Sequence, residues 1–512
     1  MSLAENRRKF LARTGAWFGL TALNPFERVL AAAKFPKNPF TLGVASGDPT
    51  SSGVVLWTRL AQDPIHGGGM NPEAVAVDYR VATDEKMANI VRKGKVTASP
   101  DLAHSVHVDV TGLKPGAWYY YQFSAGGWDS KVARTRTAPE SADKLRFAFA
   151  SCQHFETGYY TAYQHMAEED LDLVIHLGDY IYEGGIGTQP GRPRKHTGAE
   201  ILSITDYRNR HALYKTDELL QRTHQRFPWI VTWDDHEVDN DYANDFPEDG
   251  MPRTTFLERR ASAYQAYYEH MPLRRTSMPS GSNMQLYRRL RYGQLGEIFV
   301  LDTRQYRSKK PCGAGVGPLC PDAMAPSQSI LGAAQRQWLL DGLAKSPGQW
   351  NIIANQVMMA WLDRKPGPEV SVSMDKWTGY AGELKNVMEY LAAKKVKNVV
   401  TVTGDIHSNW AADLKVDFAN PKSQTVGVEF VGTSISSSGD GEDAAEEARK
   451  AIAENPHIHF HNRQRGYVSC TVTPAQVRAD YRVVPYVSKP GAPLQTRASY
   501  VVLNGKPGLQ KA

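Results

Sequence analysis

Apolar and polar positions divide the chain into two regimes. From Pro39 to about Ala138, strand-length runs recur with turns between them: 53–59, 75–81, 105–110 and 118–123, the last preceded by Gly112-Leu113-Lys114-Pro115-Gly116. Alternation of period two without a helical period predicts a small antiparallel all-β sandwich over residues 38–138. The polar stretch 135–144, with Pro139, reads as a linker. From Leu145 strand-like runs alternate with longer helical segments, which predicts a layered α/β domain over residues 145–485, followed by a tail over 486–512. The expected strands are 146–152, 173–177, 229–233, 298–301, 350–354, 399–403 and 428–431. The expected helices are 159–170, with Tyr159, Ala162, Tyr163 and Met166 on one face, a basic aromatic region over 206–227 and a charged segment over 439–454.

Composition changes this picture little. The 512-residue chain carries a formal charge of +6 and a pI near 8.9, a mild bias toward anionic partners and not a nucleic-acid signature. No stretch approaches the ~20 apolar residues of a membrane helix. Residues 1–33 read as an address. Asn6-Arg7-Arg8-Lys9-Phe10-Leu11, a modestly apolar segment and Ala31-Ala32-Ala33 resemble a twin-arginine export signal, interrupted by Glu27-Arg28. The export machinery is then a partner, and the expected location is the periplasm or the outside, with no membrane anchor after processing. Of four cysteines, Cys312 and Cys320 bracket a Gly/Pro loop suited to a disulfide in that compartment, and Cys470 reads as a buried small hydrophobe.

The fourth, Cys152, belongs to the chemistry. Cys152, Asp179, Asp235, Asp302, Asn355 and Asp405 each stand at the carboxyl end of an expected strand. Ligands of α/β sheets gather outside those ends, so residues far apart in sequence converge there. With Tyr182, His236 and His407 they offer carboxylate, imidazole, phenolate and thiolate donors. A thiolate with a phenolate favours a trivalent or softer transition metal, especially iron, whereas all-oxygen positions favour calcium or magnesium. Nothing forms a Ser-His-Asp triad. Arg208, Arg304 and Arg465 are candidates for gripping an anion, with structural roles equally open; His457, His459 and His461 alternate on a strand-like segment.

These residues carry a family resemblance. Gly178-Asp179-Tyr180-Ile181-Tyr182 resembles the Gly-Asp-x-x-Tyr motif of metallophosphoesterases related to purple acid phosphatases. Asp234-Asp235-His236-Glu237 stands where that superfamily has Gly-Asn-His-Asp/Glu, and Gly404-Asp405-Ile406-His407 where it has Gly-His-x-His. Together with Ala150-Ser151-Cys152-Gln153, these replacements are similar to the PhoD-type alkaline phosphatases. The resemblance implies a metallophosphoesterase-type β-sandwich flanked by helices, behind an immunoglobulin- or fibronectin-III-like sandwich. It implies Fe3+ held by Cys152, Asp179, Tyr182 and His407, and Ca2+ held by Asp179, Asp235 and Asp405, with Asp239 or Asn240 completing the shell. Asn355-Gln356 stands where the superfamily has another histidine. The implied reaction is hydrolysis of phosphomonoesters and phosphodiesters by in-line attack of a metal-bound hydroxide, with Asp179, Tyr182 and His236 as catalytic residues and His236 facing the leaving group. A phospholipase D-like phosphodiesterase is the neighbouring alternative. A non-catalytic envelope protein that binds polymer is the alternative from another class.

Overall fold

The computed structural model describes residues 34–313 and 315–512; the segment 1–33, expected to be an export signal, lies outside the described residues. The first strands are β1 (Val44–Thr50), β2 (Gly53–Arg59), β3 (Val75–Ala82), β4 (Ile90–Ala98), β5 (Ser105–Thr111), β6 (Trp118–Ala125), β7 (Trp128–Asp129) and β8 (Ala133–Arg136). Strands β3, β4, β6, β7 and β8 form one antiparallel sheet. It packs on β1, β2 and β5 through Val77, Val81, Tyr121 and Phe123 against Val54, Leu56 and Val108.

The larger part contributes β9 (Leu145–Ala150), β10 (Leu173–His176), β11 (Pro228–Val231), β12 (Arg288–Tyr292), β13 (Gly296–Val300), β14 (Val316–Gly317), β15 (Trp350–Asn355) and β16 (Val372–Ser373). It continues with β17 (Val399–Thr403), β18 (Asn409–Lys415), β19 (Thr425–Val431), β20 (Ile458–Asn462), β21 (Arg465–Val472), β22 (Gln476–Val484), β23 (Gln495–Leu503) and β24 (Lys506–Lys511). Its helices are α1 (Thr161–Met166), α2 (Ile204–Lys215), α3 (Glu218–Arg226), α4 (Arg253–His270), α5 (Gly332–Ala344), α6 (Ala381–Ala393) and α7 (Ala445–Glu454).

Two sheets form the centre. One runs β24-β23-β22-β21-β9-β10-β11-β1-β2-β5, the other β12-β13-β15-β17-β19-β18-β20. Phe147, Phe149, Ile175 and Ile230 of the first interdigitate with Ile298, Ile352, Val400 and Phe430 of the second. Neighbouring β9, β10 and β11 are parallel, as are β13, β15, β17 and β19. Burial on both faces explains their near-continuous apolar runs. Outside the first sheet, Tyr163, Tyr207, Leu220 and Phe256 of α1 to α4 cover Ala148, Val174 and Trp229. Outside the second, Leu339 and Leu343 of α5 and Leu384 and Val387 of α6 cover Phe299 and Ile353. The result is the expected β-sandwich flanked by helices and preceded by an all-β sandwich.

Three features differ from the sequence reading. The N-terminal sandwich shares a layer with the rest, because β1 pairs in parallel with β11, Ser46 opposite Pro228 and Gly47 opposite Trp229. Residues 495–511, expected in a tail, are β23 and β24, which close one edge of the first sheet. The helix expected over 159–170 is only Thr161–Met166, while α4 carries no clean apolar stripe because Arg259, Arg260, Glu269 and His270 are buried with its aromatic residues.

Candidate active site

The parallel strands of both sheets deliver their carboxyl ends to one rim. Cys152 follows β9, Asp179 follows β10, Asp234 and Asp235 follow β11, Asp302 follows β13, and Asp405 and His407 follow β17. An isolated bridge between Ser151 and Ser434 ties the two rims together. Left-handed backbone is costly for a residue with a Cβ, yet Cys152 (φ 59°), Asp179 (φ 57°), Asp405 (φ 68°) and His407 (φ 54°) all adopt it. Gly178, at φ 111°, escapes that cost because it has no Cβ, and one placed there would stand 2.5 Å from the Asp234 nitrogen.

Glu237 fastens the two loops to each other. Its carboxylate accepts the backbone N–H groups of Asp179 (3.0 Å), Tyr180 (2.5 Å) and Asp234 (2.8 Å). On the opposite side, Ser437 Oγ donates to the Cys152 carbonyl at 2.7 Å and lies 2.7 Å from the Tyr182 hydroxyl. The Tyr182 hydroxyl donates to Asp179 Oδ2 at 3.0 Å and sits 3.2 Å from His407 Nε2. Arg465 donates to the His407 carbonyl and to Gly439, holding the last loop in place.

At this rim three groups of donor atoms lie within 4.8 Å of one another: Cys152, Asp179 and His407; Asp179, Asp235 and His236; and Asp235, Asp241 and Asp375; a fourth, His154, Glu156 and His196, lies beside Tyr182. Asp179 belongs to the first two. Burial, then the nearby Asp179 carboxylate, pushes the Cys152 thiol and the Tyr182 phenol well up. Burial, with the neighbouring carboxylates, does the same to Asp179. Asp179 Oδ1 is buried with no hydrogen-bond partner. A thiol, a phenol and a carboxyl crowded together ionise only if a multivalent cation offsets their charge. The donor set therefore fits a metal centre at Asp179. His236 behaves oppositely: burial lowers its affinity for a proton, but Glu183, Asp179 and Asp235 outweigh burial and hold it well above the usual range. Its Nδ1 lies 2.7 Å from Glu183 Oε2, and its ring lies tilted against Tyr182, centroids 4.1 Å apart.

Cys152, Asp179, Tyr182, Asp235, His236 and His407, all singled out from the sequence, come together. Others do not. Asp239, expected in the calcium shell, faces Arg259 at 3.0 Å, and Asn240 faces Glu248; the residue grouped with Asp235 is Asp241. Asp405 reaches the rim but pairs with Lys376. Asn355 is spent on the Val357 carbonyl and Trp377, and Gln356 on Thr232, Thr303 and Leu301. Asp302 accepts from Arg304 and Gln305 backbone. Arg208 pairs with Glu269 on the far side of β1 and β2, and Arg304 is enclosed by Asp234 and Asp375. His457 bonds the Trp361 carbonyl, His459 pairs with Asp413, and His461 stacks on Trp410. Cys312 and Cys320 are joined in a disulfide, and Cys470 is buried in the core between the sheets.

The sequence does not announce the roles of Glu183, the residue just after the Gly178–Tyr182 motif, or of Glu237, the last of the Asp234–Glu237 motif, and nothing in it marks Asp375 or Lys376. A cavity of about 840 Å3 opens beside His407 and Ser438 toward α7, lined further on by Arg364, Lys450 and Arg463.

Known proteins resemble the whole of this arrangement. A model described as PhoD-like phosphatase matches residues 147–481, and one described as PhoD-like phosphatase, N-terminal domain, matches residues 27–139. Alkaline phosphatase D of Bacillus subtilis (strain 168) is 50% identical over 519 residues, covering 99% of this chain and 89% of that protein. The solved structure of PhoD superposes with a TM-score of 0.92 at 51% identity, covering 94% of this chain and 93% of that one.

Proposed function

The chain belongs to the PhoD-like phosphatase family and is a phosphoric ester hydrolase, and from that premise we propose that it is exported and hydrolyses phosphomonoesters and phosphodiesters at an iron–calcium centre built on Asp179. The observation that carries the reading is the convergence on Asp179 of a thiol, a phenol and two imidazoles around a buried carboxylate oxygen without a partner. Cys152, Asp179, Tyr182 and His407 would hold the iron. Asp179 and Asp235 would hold calcium, with Asp405 or with Asp241 and Asp375. Sulfur and phenolate donors suit ferric iron; a shell of carboxylates suits calcium.

Bound there, the cations would activate water and neutralise charge on the phosphoryl oxygens. The chain's own residues do the rest. Glu183 fixes the His236 ring through Nδ1, which leaves Nε2 as the atom able to give a proton to a departing alkoxide. The Glu183 carboxylate at Nδ1 favours the protonated ring, the form that can act as the acid. The Tyr182 oxygen lies 3.0 Å from Asp179 Oδ2, so both would face one cation, and Glu237 keeps the Asp179 and Asp234 loops in register. Membership of an enzyme family sets aside the non-catalytic binding protein.

Export is supported by the twin-arginine pattern and by a disulfide that suits an oxidising compartment. Testing the reading requires metal-replete protein from an exporting host and three substrates: an aryl phosphomonoester, a diester and a phospholipid. Hydrolysis of the first two supports it. A rate confined to phospholipid would instead identify a phospholipase D-like enzyme, and no hydrolysis at all would refute the proposal.

A further inference from the structure

A phosphoester brings two negative charges or one into a site already crowded with carboxylates, and fixed cations must meet its oxygens. Arginine is the usual residue for that task, yet three buried arginines at this rim are committed. Arg304, with no exposed side-chain surface, is spent on Asp234 at 2.5 Å and bidentately on Asp375 at 2.8 Å. Arg307, equally enclosed, bonds Asp375 and the Thr303 carbonyl. Arg465 is buried and occupied by the carbonyls of His407 and Gly439 and the hydroxyls of Thr433 and Ser434. Arg364 is exposed and lines the cavity beyond His407, but it forms no ion pair or hydrogen bond with the site's donors.

Lys376 is different. Its ammonium pairs with Asp405 and lies 3.5 Å from Asp375, and its side chain keeps 15% of its surface exposed. Asp375 is already neutralised by two guanidinium groups, so it makes little demand on Lys376. An ammonium has three donors, and at most two are engaged here. Its partner Asp405 follows β17 with His407 on the rim where the reacting ester must sit, which places the ammonium there too.

We propose that Lys376, not an arginine, is the side-chain cation that, with His236, contacts the phosphoryl oxygens of the substrate. The inference rests on the phosphoester reading of this site. It assigns Lys376 a direct contact rather than only the role of counter-ion to Asp405.

The test uses the full-length, metal-loaded protein and inorganic phosphate as the probe. Lys376→Met removes the charge at similar length, and Lys376→Arg keeps it. In K376M the competitive inhibition constant of phosphate and the KM for an aryl phosphomonoester should both rise roughly 10- to 100-fold, the worth of one charge-assisted hydrogen bond. Bound iron and calcium, measured by elemental analysis, should match the wild type, and K376R should recover most of the phosphate affinity. An unchanged phosphate constant, or one that worsens only in step with lost calcium, would overturn the proposal and leave Lys376 a counter-ion. Should K376M not fold, Lys376→Gln, which removes the charge but keeps a polar end group, decides in its place. A changed phosphate constant at unchanged cation content supports the contact; an unchanged one overturns it. Failure of the wild type to hydrolyse any phosphoester is a separate result that refutes the functional reading itself.

Discussion

Replacing His176 by Phe should make the protein markedly less sensitive to acid. His176 lies on β10, fully buried, stacked on Trp229 at 5.8 Å, and neither ring nitrogen has a hydrogen-bond partner. Burial, reinforced by the nearby Lys215 ammonium, lowers its pKa to about 3. An unfolded histidine titrates near 6.5. Between those values the unfolded chain binds a proton that the folded chain refuses, so stability is intact above about pH 6.5 and falls as pH drops toward 3. At pH 5 the loss is about 1.5 pH units at 1.36 kcal/mol each, or about 2 kcal/mol from this one ring. Phenylalanine fills similar space and titrates nowhere. The assay is urea unfolding of wild type and H176F at pH 8 and pH 5. The stability difference between them should widen by about 2 kcal/mol in favour of H176F as the pH falls, a large share of a typical 5–15 kcal/mol. Since both proteins carry the same metal site, acid release of cations cancels in the comparison. A difference that stays constant across the two pH values would refute the reasoning.

Other consequences follow from single contacts. Burial also lowers His107 to about 4, although the carbonyls of Tyr268 and Met271 accept from its ring; unfolding of His107→Phe should therefore take up about one proton fewer than the wild type below pH 6.5, measurable as a shallower pH slope. Glu237→Ala would strand the N–H groups of Asp179, Tyr180 and Asp234 at a cost of about 1–3 kcal/mol each. It should lower the melting temperature and reduce bound metal together, whereas retained metal with full activity would contradict the role given to Glu237. Breaking the Cys312–Cys320 disulfide, which closes a loop of sequence separation 8, should cost about 2.5 kcal/mol by chain entropy, seen as a lower urea midpoint for the double serine variant.

Much of the fold was legible because its central strands are buried on both faces and read as unbroken apolar runs that end at chemistry: Leu173 to Leu177 before Gly178-Asp179, and Val399 to Thr403 before Gly404-Asp405. The strand end fixes where Asp179 stands, and the motif around it is local. What stayed hidden is non-local. The pairing of β1 with β11 joins segments about 180 residues apart and leaves no periodic trace in either. Helix α4 hides its inner face behind Arg259 and Arg260, which are buried by pairing rather than by apolar character. Asp375 and Lys376 follow the two-residue strand β16 and reach the rim through an irregular segment, so no run announces them. The acidic stretch 234–241 offers several carboxylates, and only the turn, with Asp241 at φ 53°, brings Asp241 rather than Asp239 or Asn240 to Asp235.

The central claim is a cation centre organised by Asp179 with a phenol and a thiol among its donors. The most direct test is elemental analysis combined with the visible spectrum of protein made in an exporting host, for the wild type and for Tyr182→Phe. Bound iron and calcium are expected, with a phenolate-to-iron absorption band that gives the wild type colour and disappears in Y182F. Colourless wild-type protein carrying only zinc would contradict the claim.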